Sequence, residues 1–382
     1  MSQAFAPWVA AVEPSETARM ADIAARLRDD GVDVIDLSTA DPDFATPEHV
    51  RDAATAALDA GETGYPPTPG TAELRAAVAR KLSAENDVPT DPEEVYVTPG
   101  SKYALLEAIA TIVRPGDEVV VPDPAWVSYE PMVKIAGGSV RRLRTARDDG
   151  FVPTAEGLAD AVDDDTRLLI LNTPANPTGA VFSPADLRAV RDAAVAHDCW
   201  VVADEVYERI VFDGEHRSVA AYPGMAARTV TVGGFSKGYA MAGWRVGYLT
   251  GPPSLLDAVG RLQSHSVTST AIFAQRGAAA ALDGPAEPFE RMVDAYETRR
   301  DALVDRLRDA GVDVHPPAGG LSAFVPVGGA DDVALCERLL EDDHVALTPG
   351  TPFGREGYVR VCLTADRERI VAGLDALLDR LD

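Results

Sequence analysis

The chain has 382 residues, of which 46% are hydrophobic and 25% are charged, and it fits one large α/β enzyme or a large domain with a smaller one. Its formal net charge of −26 repels nucleic acid and anionic membranes over most of the surface. No apolar run approaches the length of a membrane span. These features argue against a nucleic-acid-binding protein and against a membrane protein.

The acidic excess comes from 39 Asp and 22 Glu against 31 Arg and 4 Lys, spread along the whole chain. This spread favours adaptation to a salt-rich cytoplasm, where salt screens the self-repulsion, over a binding surface for basic partners. The three cysteines, Cys199, Cys336 and Cys362, are far apart and match no metal-binding spacing, which favours a reducing cytoplasm. The first residues lack the pattern of a signal peptide. We therefore expect a halophilic, cytoplasmic protein.

The predicted elements begin with a helix over residues 15–30. Short β-branched runs then alternate with helical patterns through the middle of the chain. Strands are predicted at residues 94–97, 117–121, 139–143, 167–171, 200–203, 229–233 and 246–250, with helices at 102–112, 184–197 and 254–264. This alternation predicts an α/β fold with a mostly parallel seven-stranded sheet that helices cover on both faces.

The pattern changes after residue 284. A long helix near residues 285–310 is followed by strands around 322–327, 344–347 and 357–361 and by a final helix. These elements predict a smaller α+β domain, and we expect the first 45 residues to pack against it. The chain is therefore divided into a large domain, residues 46–284, and a small domain, residues 1–45 with 285–382.

Ligands of open α/β sheets bind beyond the carboxyl ends of the strands, so polar residues at those ends are candidate site residues. Tyr65 lies in a turn-rich loop ahead of the first strand of the sheet. The run 98–103, Thr-Pro-Gly-Ser-Lys-Tyr, opens a helix whose N–H groups can cradle a phosphate. Trp126 follows the strand at 117–121 and can lie against a flat ring, although a lone Trp is more often a core residue.

Two more motifs follow later strands. In the run 172–179, Asn-Thr-Pro-Ala-Asn-Pro-Thr-Gly, the prolines fix a rigid turn that holds Asn176 extended, and a simple turn explains the run equally well. Asp204 and Tyr207 follow the strand at 200–203. A carboxylate at the mouth of a buried strand needs a partner, which a protonated pyridine nitrogen can supply, and a helix-capping Asp is the alternative.

Lys237 follows the strand at 229–233 in the glycine-rich segment 233–247. Burial would lower the pKa of its amine, as attack on a carbonyl carbon requires, and Arg245 could hold a phosphate. A turn with a solvated Lys and Arg fits the segment equally well. Arg360 lies inside a short apolar strand, where it requires a carboxylate from either a substrate or a structural partner.

Together these motifs, in this order and with these spacings, resemble the class I/II aminotransferases, which are pyridoxal-phosphate (PLP) enzymes. The resemblance runs from about residue 12 to the C-terminus, includes the stretch 34–50, and is closest to the bacterial and archaeal aspartate aminotransferase branch. It implies the PLP-transferase fold type I and a PLP cofactor. It also implies a homodimer with shared active sites and an amino acid and a 2-oxo acid as small-molecule substrates.

The resemblance also assigns roles. Lys237 is expected to form the Schiff base with PLP and to move the substrate α-proton. Asp204 is expected to pair with the pyridine nitrogen, and the remaining ring contacts fall to Tyr207, Asn176 and Trp126. The residues expected around the phosphate are Ser101, Lys102, Ser236 and Arg245, with Tyr65 of a second subunit. Those expected around the substrate are Arg360, Asn176, Trp126, Lys102 and Ala40.

In the branch that the chain resembles, a lysine at the position of Lys102 reaches the distal carboxylate of an acidic substrate. This favours aspartate and 2-oxoglutarate as the substrate pair, and the alternative is that Lys102 contacts only phosphate or solvent. Three positions bear on the substrate or cofactor. In similar proteins a serine is common at the position of Gly234 and a glycine at that of Ala40. The segment that contains His265 lies near the neighbouring subunit's substrate pocket in similar proteins, and the alternative is that His265 is a surface histidine. These positions leave the exact substrate open.

Other functions use the same or similar motifs. Aromatic or other amino donors, and a PLP β-lyase on the same fold, would require the same lysine and aspartate. A PLP-binding transcription regulator would need a DNA-binding segment, which does not precede residue 12, and the acidic charge opposes it. A dinucleotide-binding dehydrogenase would need a Gly-x-Gly-x-x-Gly run after a strand, and the chain has none.

Overall fold

The computed structural model describes residues 7–10, 12 and 16–381. Its helices are α1 (Pro7–Ala10), α2 (Glu16–Asp29), α3 (Glu48–Asp59), α4 (Ala72–Glu85), α5 (Ser101–Ile112), α6 (Tyr129–Ala136), α7 (Ala155–Ala161), α8 (Pro184–Ala196), α9 (Pro253–Ser266), α10 (Ile272–Asp283), α11 (Glu287–Asp309), α12 (Asp332–Asp342) and α13 (Arg367–Asp379). Its strands are β1 (Ile35–Asp36), β2 (Val95–Thr98), β3 (Glu118–Asp123), β4 (Ser139–Arg144), β5 (Thr166–Asn172), β6 (Trp200–Asp204), β7 (Thr229–Gly234), β8 (Gly247–Thr250), β9 (Ser322–Pro326), β10 (Val345–Ala346), β11 (Thr348–Pro349) and β12 (Tyr358–Cys362).

The main sheet has seven strands in the order β2-β8-β7-β6-β5-β3-β4. The pairs from β7 through β4 are parallel, whereas β8 runs antiparallel to both of its neighbours. The predicted fold class, α/β with a mostly parallel seven-stranded sheet, is therefore confirmed. Each of the seven predicted strands is present, with ends that differ from the prediction by at most two residues.

Alternating side chains on each strand supply the hydrophobic cores on the two faces of this sheet. On β3, Val119 and Val121 belong to the core that α5 and α9 cover, whereas Val120 belongs to the core that α7 and α8 cover. Successive side chains of a strand point to opposite faces, so a continuous apolar run is what a strand buried on both faces requires. This arrangement leaves the strand ends free to carry polar side chains.

A further core is built from α2, α11, α12 and α13 together with the late strands. The late strands form a three-stranded sheet in the order β11-β12-β9, and β1 pairs in parallel with β10. The single strand predicted at 344–347 is instead two short strands, since β10 pairs with β1 and β11 pairs with β12. The predicted helix start at Ser15 lies outside the described residues. Met20 and Ala24 of α2 belong to this core.

Among residues 7–10, 12 and 16–381, none of the helices combines the length and the hydropathy that a membrane-spanning segment requires. The three cysteines are buried and free of disulfide bonds.

Candidate active site

A cavity of about 640 Å³ opens at the carboxyl ends of the parallel strands. Every predicted site residue except Tyr65 lines it, namely Ala40, Ser101, Lys102, Trp126, Asn176, Asp204, Tyr207, Ser236, Lys237, Arg245 and Arg360. Tyr65 is instead 90% exposed on the surface. Residues distributed over more than 300 positions of the sequence thus meet because parallel strands present their carboxyl ends at one edge.

Lys237 follows β7 and lies in the cavity wall. Its Nζ donates a hydrogen bond to the backbone oxygen of Ala40, in the segment that follows β1. Burial, assisted by the positive charges of Arg360 and Arg245, lowers the pKa of Lys237 to about 8, against the opposing charge of Asp41. A substantial share of the amine is therefore neutral near pH 8, which is the form that attacks a carbonyl carbon.

The backbone of the loop that carries Lys237 adopts an unfavourable conformation at two residues. Ala240 and Arg245 both have positive φ angles, 51° and 55°, a region that residues with a Cβ rarely adopt. Thr46 fixes this loop from outside it. Its hydroxyl donates to the Ala240 oxygen at 2.5 Å and accepts from Trp244 Nε1 at 3.0 Å. The segment before α3 therefore holds the loop in shape.

Asp204 is the last residue of β6 and is only 4% exposed. The Tyr129 hydroxyl donates to its Oδ2 at 2.7 Å, and Asn172 Nδ2 donates to its backbone oxygen at 2.9 Å. Burial raises the pKa of Asp204 to about 6, although the Tyr129 hydrogen bond works against this rise. A cationic group in the cavity would favour the ionised carboxylate. Burial also raises the pKa of the Tyr207 phenol, which keeps it protonated.

The start of α5 comes very close to the last residues of β7 and the first residue of β8. Ser101 Oγ donates to the Gly233 oxygen at 2.9 Å. A Cβ on Gly234 would lie 2.1 Å from that hydroxyl, and a Cβ on Gly247 would lie 2.3 Å from the Ser101 nitrogen. Gly234 therefore leaves room for Ser101, and a serine at position 234 would displace the Ser101 hydroxyl from its present position.

Arg245 lies against the start of the same helix. A Cβ on Gly100 would come within 2.4 Å of its Nη2, so the glycine lets the guanidinium approach the backbone. Arg245 Nη1 donates to the Ala242 oxygen at 2.8 Å. Free N–H groups at a helix start together with a neighbouring guanidinium form a favourable site for a phosphate.

Arg360 lies on β12 and is only 5% exposed. Its Nη1 donates to Asn176 Oδ1 at 3.3 Å, and its Nη2 contacts the Ser38 oxygen and, at 3.3 Å, Thr348 Oγ1. Within the part of the chain that the structure describes, its buried Nε has no hydrogen-bond partner. The guanidinium thus meets neutral oxygens, which leaves its charge available to a carboxylate that enters the cavity.

Lys102 and Trp126 form a pair in the cavity wall. Lys102 Nζ lies 5.1 Å from the centroid of the Trp126 ring, within the range of a cation–π contact. Burial and the nearby charge of Arg245 lower the pKa of Lys102. Lys102 has a flexible side chain, and its ammonium lines the same cavity as Arg360.

Sequence reasoning missed several residues of the site. Tyr129, the hydrogen-bond donor to Asp204, occurs in the run that predicted Trp126, but nothing in the run shows that the phenol turns towards β6. Ser38, Thr39 and Asp41 also line the cavity. Their signal was the polar segment directly after β1, a strand too short to recognise from its pattern.

These residues fit the cofactor that the sequence resemblance implies. A phosphate-bearing pyridine aldehyde needs a reactive amine, an acid for the ring nitrogen, a flat apolar wall and donors for the phosphate. The cavity offers Lys237, Asp204 and Trp126 for the first three needs, and Ser101, Ser236 and Arg245 for the last. The buried carboxyl of Asp204, which has no cationic partner among the contacts described above, points to the same kind of ligand.

Comparison with known proteins gives a consistent result. A family model described as aminotransferase class I and II matches residues 32–377. An aspartate aminotransferase of Musicola paradisiaca is 40% identical over 375 residues, 96% of this chain and 94% of that protein. An aromatic-amino-acid aminotransferase of Thermococcus litoralis is 37% identical over 374 residues, 96% of this chain and 95% of that protein. A solved structure of the Thermus thermophilus aspartate aminotransferase with maleate superposes with a TM-score of 0.95 at 39% identity, and the match covers 100% of both chains.

Proposed function

The chain belongs to the class I and II aminotransferases, and from this membership we propose that it transfers the amino group of aspartate to 2-oxoglutarate. It is a PLP-dependent aminotransferase of fold type I, so its substrates are an amino acid and a 2-oxo acid. The choice of an acidic pair is the proposal. The observation that carries it is that, besides Arg245 at the start of α5, the cavity holds two further cations, Arg360 and Lys102, beside the Lys237 amine. A dicarboxylic substrate needs two such partners.

We assign the chemistry to residues as follows. When bound, PLP supplies an electron-withdrawing ring that stabilises negative charge at the substrate α-carbon. Asp204 would keep the ring nitrogen protonated, Tyr207 and Asn176 would bind the ring oxygen, and Trp126 would lie against the ring. Lys237 anchors the cofactor and moves the α-proton as a general base and acid.

The same proposal assigns the binding groups. Arg360 binds the α-carboxylate with help from Asn176, because its guanidinium is buried beside that amide. Ser101, Ser236 and Arg245 bind the phosphate, which suits the N–H groups at the start of α5. Ala40 borders the substrate, since its backbone oxygen contacts Lys237. Lys102 binds the distal carboxylate of the substrate.

The direct test is an assay of purified protein with PLP, 2-oxoglutarate and single L-amino acids. We expect aspartate to give glutamate and oxaloacetate faster than aromatic or aliphatic donors. If only aromatic or aliphatic donors yield glutamate, the acidic-substrate proposal is wrong and the aminotransferase assignment remains. A β-lyase would instead release ammonia from its substrate without forming glutamate.

The role of Lys102 can be tested with Lys102→Gln. The substitution removes one of the two proposed carboxylate partners, so we expect the KM for aspartate to rise about 10- to 100-fold, the range of a charge-assisted hydrogen bond. The activity with a donor that lacks a distal carboxylate should change little. Steady-state kinetics with aspartate and phenylalanine measure both effects.

Lys134→Gln is the matched control, because it removes the same charge from α6, where Lys134 pairs with Glu130 at 2.9 Å outside the cavity lining. Equal losses with aspartate and phenylalanine in the Lys102 variant would mean that Lys102 serves the cofactor phosphate instead.

We also propose that the active protein is a homodimer in which Tyr65 of one subunit completes the phosphate site of the other. Its support is the placement of Tyr65, 90% exposed and outside the cavity, together with the exposed apolar side chains of Leu58, Leu262 and Phe273. His265 is also exposed in the single subunit. A residue that lies near the pocket of a neighbouring subunit in the dimer would be exposed in this way. Light scattering should give twice the 40.4 kDa mass of one chain. A monomer with full activity would contradict this proposal.

We propose a domain division at residues 46 and 285, and a salt-rich cytoplasm as the working environment. The division is supported by the core that joins α2 to α11 and α13, to which the proposed large domain contributes only Tyr207, Ile210 and Ala240 as buried members. The environment is supported by the net charge of −26. Thermal unfolding in increasing KCl tests the second point, since screening should raise the midpoint of an acidic protein adapted to salt.

A further inference from the structure

A group of four buried charged side chains lies behind the turn that carries Asp204 and Tyr207. Lys81 comes from α4, Glu205 and Glu208 come from the turn itself, and His216 comes from the loop that follows. We call these four residues the buried charge cluster. Their side chains are at most 8% exposed. Buried charges must pair with each other or with hydrogen-bond partners, so the pairing within the cluster decides its properties.

At one end of the cluster, Glu208 has a full set of partners. Lys81 Nζ forms an ion pair with its Oε2. Asn86 joins the two, since its Oδ1 accepts from Lys81 at 2.8 Å and its Nδ2 donates to Glu208 Oε2 at 2.7 Å. The Tyr248 hydroxyl of β8 donates to Oε1 at 3.4 Å. This end is therefore electrically balanced.

At the other end, Glu205 faces His216. The Ser218 hydroxyl donates to Glu205 Oε1 at 2.6 Å, and His216 Nε2 lies 3.3 Å from Oε2. Burial alone would lower the pKa of His216, but the charges of Glu205 and Glu208 outweigh both burial and the opposing charge of Lys81, and raise it. With His216 protonated, two carboxylates, one ammonium and one imidazolium cancel. With His216 neutral, one negative charge remains uncompensated inside the protein.

Glu205, Glu208 and His216 also bring possible metal-binding atoms within 4.8 Å of one another. The Lys81 ammonium already contacts Glu208 there, which gives this end of the cluster the positive charge that a metal ion would bring. The arrangement is therefore better explained as an ion-pair network than as a metal site.

The cluster and the active site share one short turn. Asp204 and Tyr207 line the cavity, whereas Glu205 and Glu208 belong to the cluster. The Glu205 nitrogen donates to the Val232 oxygen of β7 at 2.9 Å, and the Glu208 nitrogen donates to the Glu205 oxygen at 2.9 Å. A shift of the Glu205 side chain must therefore act on the backbone that sets the direction of Asp204.

We propose that His216 is a positioning residue, which acts through Glu205 to hold the 204–208 turn in the geometry that directs Asp204 and Tyr207 into the active-site cavity. The proposal rests on the assignment of Asp204 and Tyr207 to the cofactor. It gives a function to a histidine that does not line the cavity.

The test compares His216→Gln with the double variant Glu205→Gln/His216→Gln, both as holoenzymes with bound PLP. The single variant leaves one buried charge uncompensated, whereas the double variant restores neutrality. We expect His216→Gln to lower kcat for aspartate about tenfold with little change in KM, and to shift the pH midpoint of the visible absorbance change of bound PLP. The double variant should recover most of the lost kcat and should return the absorbance midpoint towards that of the unchanged protein.

His197→Gln is the matched control, because His197 forms a surface pair with Asp164 at 2.8 Å and the substitution removes a histidine side chain that is outside the cluster. A His216→Gln variant that loses thermal stability but keeps its kcat and absorbance midpoint would show a merely structural role and overturn the proposal. So would a double variant as inactive as the single one. If even the unchanged protein gives no PLP absorbance, the proposed function fails instead.

Ser218→Ala gives a second measurement if His216→Gln does not fold. It removes the 2.6 Å hydrogen bond to Glu205 without changing any charge. We expect the absorbance midpoint to shift in the same direction as in His216→Gln. We expect kcat to fall by less than tenfold. An unchanged midpoint and kcat would overturn the proposal.

Discussion

Replacement of Lys237 by alanine should abolish transamination, with a loss of at least about 10⁴-fold in kcat, because it removes both the anchoring amine and the base that moves the α-proton. The cavity keeps its phosphate donors and Asp204 in this variant, so PLP should still bind without a covalent bond. Borohydride reduction followed by peptide mass spectrometry separates the two cases. The unchanged protein should carry the cofactor mass on the peptide that contains Lys237, and the variant should carry none.

The composition makes this labelling test sharp, since the chain has only four lysines. Lys81 is buried in an ion pair with Glu208, Lys134 pairs with Glu130, and Lys102 lies over Trp126. Cofactor mass on the Lys102 peptide of the unchanged protein would refute the assignment.

The pH dependence of PLP uptake gives an independent check of the role of Lys237. Because the pKa of Lys237 is about 8, the neutral amine and the rate of PLP uptake by the cofactor-free protein should both increase as the pH rises through that value.

Asp204→Asn should lower kcat by about 10²- to 10³-fold while the cofactor stays bound, because an amide of the same shape cannot hold a positive charge on the ring nitrogen. The site supports this expectation, since Asp204 is almost fully buried and Tyr129 is its side-chain donor. Stopped-flow absorbance during a single half-reaction measures the loss directly at the chemical step.

Tyr129→Phe is the graded control for this experiment. It removes one hydrogen bond to Asp204 and keeps the carboxylate, so the loss should be smaller, about tenfold to thirtyfold. Two results would mean that the charge of Asp204 does not drive the reaction. One is a kcat of Asp204→Asn within threefold of that of the unchanged protein, and the other is a larger loss of kcat in Tyr129→Phe than in Asp204→Asn.

Much of this site could be predicted from sequence because its residues follow strands. Lys237, Asp204 and Asn176 come soon after buried β-branched runs, and the carboxyl ends of parallel strands meet at one edge. The positions of these residues in the sheet therefore followed from local patterns alone. The antiparallel direction of β8 did not, because a four-residue strand has the same pattern in either direction.

Contacts between distant segments lay beyond sequence reasoning. Tyr129 reaches Asp204 across 75 positions through the packing of α6 on the sheet, and no periodicity encodes that contact. The division of the strand predicted at 344–347 into β10 and β11 has a similar cause, since each half pairs with a different strand. Tertiary partners decided both outcomes.

The fastening of the lysine loop by Thr46 and Ala40 bears on how the protein folds. The contacts of Lys237 with Ala40, of Ala240 with Thr46 and of Trp244 with Thr46 join segments that are 194 to 198 positions apart. Contacts between such distant segments form slowly, so we expect them to form late in folding. Cofactor binding then requires a nearly complete chain, and mass action makes PLP a thermodynamic stabiliser of that last stage. Refolding yield should therefore depend on the concentration of PLP.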